Sequence, residues 1–95
     1  MWIIAGHVTV DEDRRDEYLA AHHDLVERAR RAPGCLDVAI TPDPVVAGRI
    51  YNYERWETWE AIEVWRTVAH APDTGITMRD VEVTAYEVAR STPPF

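Results

Sequence analysis

From Trp2 to Val10 the side chains alternate along the chain. Trp2, Ile4, Gly6, Val8 and Val10 fall on one face, and Ile3, Ala5, His7 and Thr9 on the other. A period of two belongs to a β-strand, because successive side chains leave opposite sides of its backbone. The period then lengthens. Asp11 and Asp13 offer oxygen acceptors for a helix start. Tyr18, His22, Leu25, Val26 and Ala29 follow at mainly helical spacings and line one face. The pattern predicts one helix to about Arg31. Arg28, Arg30 and Arg31 sit in its last turns, where cations complement the carbonyl end of the helix dipole. Pro33-Gly34 stops it.

Alternation resumes at Cys35–Thr41, with Leu36, Val38 and Ile40 on the apolar face. Pro42-Asp43-Pro44 and Ala47-Gly48 bracket a loop. A third strand, Arg49–Trp56, sets Ile50, Asn52, Glu54 and Trp56 against Tyr51, Tyr53 and Arg55. Thr58 is placed to cap a second helix carrying Trp59, Ile62, Trp65, Val68 and Ala69. Pro72-Asp73-Thr74 opens a short helical segment or loop, and Val81–Ala89 reads as the last strand. The order β-α-β-β-α-β predicts an α+β, ferredoxin-like antiparallel sheet with both helices on one face. We expect one domain over residues 1–90 and a tail at 91–95, whose Pro93-Pro94 cannot extend a ladder.

The helices leave one sheet face bare, yet it carries Ile3, Ala5, Tyr51 and Tyr53. A second copy of the same sheet is the economical cover, so the pattern predicts a homodimer. Size points the same way. A chain of 95 residues buries only roughly 60–65% of its unfolded surface.

Composition narrows the partners. Net charge is −7, which argues against nucleic acid and anionic membrane surfaces. Cys35 is the single cysteine, so no intrachain disulfide or thiolate metal cluster can form. With no basic leader and no long apolar run, a reduced, cytoplasmic setting is expected. No His pair shows metal-ligand spacing, and there is no glycine-rich phosphate loop or nucleophile elbow. Neither a metal nor a flavin or nicotinamide cofactor is expected.

Strand parity puts the Asn52 amide and the Trp56 indole on one face, toward the helices. An inward Asn needs a hydrogen-bond partner and an inward Trp supplies a flat wall with one N–H donor. Together they could cradle a planar substrate bearing oxygen. Equally, Trp56 could be core and Asn52 could satisfy a backbone group. His22 shares the inward helix face and could reach such a cavity, or be a satisfied core histidine. His70 sits near a helix end, where it could rim the mouth as an acid or base. Gly6 leaves space for a ligand or for helix–sheet packing. Trp59 and Trp65 fit core or substrate wall. His23, with Glu27 one turn on, reads as solvated surface.

The run Asn52-Tyr53-x-x-Trp56-Glu57-Thr58-x-x-Ala61 resembles the antibiotic biosynthesis monooxygenase family, especially its actinorhodin-pathway, quinone-forming branch. Arg31-Ala32-Pro33-Gly34-Cys35-Leu36 is similar to that family's helix-to-strand junction, and Glu54–Thr58 to its strand-to-helix junction. The likeness follows the element order over nearly the whole chain. It implies a dimeric α+β barrel. It also implies cofactor-independent oxidation of an aromatic polyketide-like phenol or anthrone to a quinone, with dioxygen as co-substrate. The catalytic Asn and Trp of that branch match Asn52 and Trp56, with His70 as a candidate for proton transfer. Gly6, His22, Ile62 and Trp65 are the candidates for substrate contact. The branch's helix-two Tyr matches Ile62, so that proton donor is missing. This departure supports a runner-up: a small-ligand binder, isomerase or cyclase of the same fold. Related haem-degrading proteins have a key Trp that matches Trp65 and a strand-one Asn that matches Gly6. Their iron-ligating His has no match, since His70 comes too early, so haem cleavage ranks last.

Overall fold

Strand β1 (Trp2–Thr9) runs up the middle of a four-stranded antiparallel sheet of order β2-β3-β1-β4 in a computed structural model that describes residues 1–95. Its partners are β3 (Arg49–Trp56) and β4 (Arg79–Glu87), and β2 (Cys35–Pro42) forms the far edge beyond β3. A single 3-10 turn at Glu12–Arg14 leads into α1 (Arg15–Ala21) and α2 (His23–Arg31), and α3 (Trp59–Val68) follows β3. This is the α+β, ferredoxin-like arrangement that the element order predicted. No helix is long and apolar enough to cross a membrane.

The strands pair as their alternation requires. Ile50 faces Val8, Glu54 faces Ile4 and Trp56 faces Trp2 across β1 and β3, so their inward residues fall in one register. They bury two adjoining clusters. Ile4, Ala29, Val38, Trp56 and Ile62 form one, with Trp2, Val26, Trp59 and Trp65 at its margin. Val8, Val10, Tyr18 and Ile50 form the other. Long-range polar ties hold the helices down. Arg30 Nε donates to the Val38 carbonyl at 2.8 Å, fastening α2 to β2. Arg28 donates to the Ala69 carbonyl at 2.8 Å and lies 5.7 Å from the Trp65 ring centroid, fastening α2 to the end of α3. It therefore supplies acceptors at that helix end with the donor they lack.

Several local expectations change. The predicted first helix is interrupted at His22, where the backbone turns to φ −92°, ψ 0°. The Asp11 side chain accepts no capping hydrogen bond from the turn that follows it; its carboxylate instead accepts from Arg79 at 3.0 Å. Thr58 does cap α3, accepting from Ala61 N at 3.1 Å. Leu36 lies at a register shift between Cys35 and Asp37 and is exposed, not part of the apolar face. The Pro72 region forms no helix, and residues 69–78 lead irregularly into β4.

Two glycines are explained by close approach. Gly34, at φ +82°, follows α2; a Cβ there would come 2.6 Å from the Ala61 Cβ. At Gly6 a Cβ would lie 1.8 Å from the Glu82 carbonyl oxygen, inside the backbone of β4. The glycine lets β4 pair with β1. It neither opens ligand space nor accommodates a helix, the two reasons the sequence suggested.

Candidate functional site

Asn52 and Glu54 occupy the middle of β3 on its helix-facing side, opposite Ile40 and Val38 of β2. With Val26, Ala29 and Trp65 they line a hollow of about 60 Å³ between sheet and helices. The hollow is mainly apolar. Asn52 is half-buried in it, and no group of the chain hydrogen-bonds its amide. Glu54 is the one carboxylate in the wall. Burial, and after it the Glu54 charge, push the nearby Cys35 thiol up, so that thiol stays protonated.

Trp56 shares the inward parity but not the hollow. It is fully buried, and its indole N–H donates to Glu54 Oε1 at 2.9 Å. The expected pair of free groups, amide and indole, thus reduces to the amide. Position along the strand explains this: Trp56 ends β3 beneath α3, where Ile62 and Ile4 close over it. Ile62 is likewise solid core at 1% exposure and faces no cavity. His70 is exposed at φ +48° and lines no cavity, so it does not rim the mouth as expected. Gly6 pairs with Asn52 across β1 and β3 but does not line the hollow, and the direction a Cβ would take there is filled by the β4 backbone. Of the seven candidates, the structure brings Asn52 and Trp65 together in the hollow, pairs Gly6 with Asn52 in the sheet, and sets His22 in the adjoining cleft.

His22 stands where two larger clefts meet. One, about 230 Å³, runs between α1–α2 and β2 and shares the Val26, Ala39 and Ile40 walls with the hollow. The other, about 330 Å³, lies between α1 and residues 71–78 and is walled also by Tyr18 and Met78. The Tyr18 ring stacks on the imidazole, 4.1 Å between centroids and 25° between planes. Burial pushes the Tyr18 phenol up, so the group remains a hydroxyl donor through the neutral range. Tyr18, Glu54 and Met78 were not candidates from the sequence. Only Tyr18 carried a signal, its four-residue spacing from His22.

Fold and site define a class: a ferredoxin-like α+β domain with a small polar-edged hollow under its helices. The model of the antibiotic biosynthesis monooxygenase family matches residues 1–74, and the chain belongs to that family. The folds of its relatives agree. A Deinococcus radiodurans protein proposed to be an antibiotic biosynthesis monooxygenase superimposes at TM-score 0.78 and 18% identity, over 100% of this chain and 99% of its own. The haem-degrading MhuD of Mycobacterium tuberculosis, with two haems bound in its active site, superimposes at TM-score 0.71 and 13% identity, over 98% of this chain and 100% of its own. The uncharacterized protein sll1783 of Synechocystis is 23% identical over 94% of this chain, which spans only 64% of that relative's length.

Proposed function

We propose that the chain is a cofactor-independent monooxygenase that oxidises an aromatic phenol or anthrone to a quinone, acting as a homodimer. The observation that carries this reading is the free Asn52 amide in an apolar hollow, at the position where the quinone-forming branch has its catalytic Asn. Balanced chemistry needs no outside reductant. The ring methylene surrenders two hydrogens and four electrons. Dioxygen places one oxygen on that carbon, and the other leaves as water. The protein supplies orientation, a dry site and hydrogen bonds to the developing oxygen charge.

The hollow is far below the roughly 300–1,000 Å³ of ordinary ligand sites. It admits only an oxygen-bearing edge of the substrate, which Asn52 would hydrogen-bond. The ring body then belongs in the two clefts that meet at His22, against Val26 and Ile40 on one side and residues 71–78 on the other. Trp56 acts through packing and by holding Glu54. The dimer draws support from the bare sheet face. Ile3, Ala5 and Tyr53 are half-buried there in a single chain, and His7 Nδ1 and Arg55 Nε lie sealed without partners.

Oxygen uptake with the anthrone dithranol tests the reading. We expect catalysed uptake that falls at least tenfold in Asn52→Ala, with the folded dimer retained by sedimentation. Unchanged kinetics in that variant remove Asn52 from the mechanism. A second reading, ligand binding without oxygenation, is favoured by Ile62, which brings no hydroxyl to the site. Tight binding of dithranol with only the spontaneous rate of uptake would select it.

A further inference from the structure

We propose that His22 is the proton acceptor for the bound substrate, working in the cleft between α1 and residues 71–78, with Tyr18 as donor to the same substrate oxygen. This rests on the reading above for the class of molecule, a planar phenol or enolisable ketone, but not for the site.

The imidazole is already committed to one protonation pattern. Its Nδ1 lies 2.7 Å from the Tyr18 carbonyl oxygen. A carbonyl can only accept, so Nδ1 carries the hydrogen, and in the neutral ring Nε2 carries the lone pair. Nothing in the chain hydrogen-bonds Nε2. The side-chain nitrogens that are sealed without partners belong to His7, Arg49 and Arg55, so Nε2 keeps contact with open space. Yet the residue as a whole is only 8% exposed. A buried ring with one nitrogen fixed, the other free, and a cleft on either side is arranged as a base.

The backbone is shaped around this residue. His22 N is shared between the Tyr18 and Leu19 carbonyls at 3.2 Å each, while the side chain takes the same Tyr18 carbonyl. The helix breaks there. Competition of a side chain for a helix carbonyl is a known cause of such a break. Tyr18 fixes the ring plane by stacking. Its hydroxyl donates only to the Met78 thioether, at 3.5 Å. Sulfur is a weak acceptor, so a substrate oxygen would displace it readily. The cleft volume of about 330 Å³ falls within the ordinary range for small ligands.

The step is a proton transfer. The substrate O–H, or C–H beside its carbonyl, breaks; the proton passes to Nε2 and the electron pair stays on the substrate. Tyr18 then donates to the resulting oxyanion. The other titratable or charged groups lining these clefts are Asp73 from the far wall of the same cleft, and His23, Glu27 and Arg30 from the neighbouring one. Asp73 is turned to its own loop, accepting from Gly75 N at 3.3 Å.

Nitrogen NMR of imidazole-labelled wild-type protein reads the tautomer directly, and the quinone danthron serves as a probe that cannot be oxidised. We expect hydrogen on Nδ1 and a bare Nε2 in the free protein, with the Nε2 signal moving on danthron binding. A hydrogen on Nε2 in the free protein, or a His22 signal indifferent to saturating danthron, overturns the proposal. His22→Asn keeps a donor near the Tyr18 carbonyl and removes Nε2. It should lower dithranol turnover about 100-fold, in the range of general base catalysis, and erase the rising limb of the pH–rate profile. An unaltered profile in a folded His22→Asn protein also overturns it. Should wild-type protein consume no oxygen while danthron still moves the Nε2 signal, the oxygenase reading falls and the role of His22 stands.

Discussion

The two sides of this sheet carry similar patterns and meet different fates. On β3, Ile50 and Trp56 are sealed at 0% exposure beneath the helices. On β4, Val81, Val83 and Ala85 share the corresponding parity, yet every residue of the strand is exposed. Alternation therefore specifies a strand and a face, but not whether that face is covered. Cover comes from α2, which packs on β2, and α3, which packs on β3. Neither buries any residue of β4, so packing energy is concentrated in one half of the sheet. The other half is held mainly by its ladder to β1 and leaves Val81, Val83 and Tyr86 exposed.

The strongest test of that asymmetry is to remove the residue at its centre. Trp56→Ala should cost about 3–5 kcal/mol, as large aromatic deletions do. A domain of this size has only about 5–15 kcal/mol in total. Loss should be global. Denaturant titration should show a lower midpoint, and hydrogen exchange should accelerate in all four strands together. A Trp56→Ala protein whose midpoint moved little would mean that stability is not concentrated under the helices.

Gly6→Ala attacks the other half. The new Cβ would meet the Glu82 backbone, not a flexible side-chain end, so β4 must shift. The cost should be about 1–3 kcal/mol and local. Amides of β4 and their β1 partners should lose protection, while the β1–β3 ladder keeps its own. Equal loss across both ladders would show that the sheet unfolds as one unit, with no separate stability in its two halves.

These two positions also mark what the sequence could and could not disclose. Element order, the pairing faces of β1 and β3 and the Thr58 cap were legible, because each depends on local spacing or a nearby donor. Trp56 was assigned correctly to the inner face, but parity has no information about distance along the strand. That distance separates a sealed indole from the Asn52 amide beside the hollow. The reason for Gly6 was hidden because it lies in β4, far along the chain. The break at His22 was hidden too, since a histidine at helical spacing suits an unbroken helix equally well. The resemblance pointed to Asn52, whereas Tyr18 emerged only when the irregular segment 69–78 closed a cleft over it.

The smallest effect expected concerns acid. In the covered half, Asp43 is buried in the β2–β3 loop, and Arg15 donates to its carbonyl at 2.9 Å. Its carboxylate accepts from Val45 N at 2.7 Å and Val46 N at 3.2 Å. Those backbone donors, assisted by Arg49 and Arg15, hold its pKa below the usual carboxylate value although burial opposes them. The folded pKa being lower than the unfolded one, Asp43 stabilises the protein fully above the unfolded value. That contribution fades as pH falls through the folded one. The acids of β4, Asp80, Glu82 and Glu87, are exposed and have no such loop around them. Asp43→Asn keeps an oxygen for the Val45 amide but loses the charge. Stability near neutral pH should drop modestly, and the slope of stability against pH should flatten on the acid side. An Asp43→Asn protein whose slope on the acid side stayed as steep as the wild type's would place the acid sensitivity outside this loop, against its assignment to the covered half of the sheet.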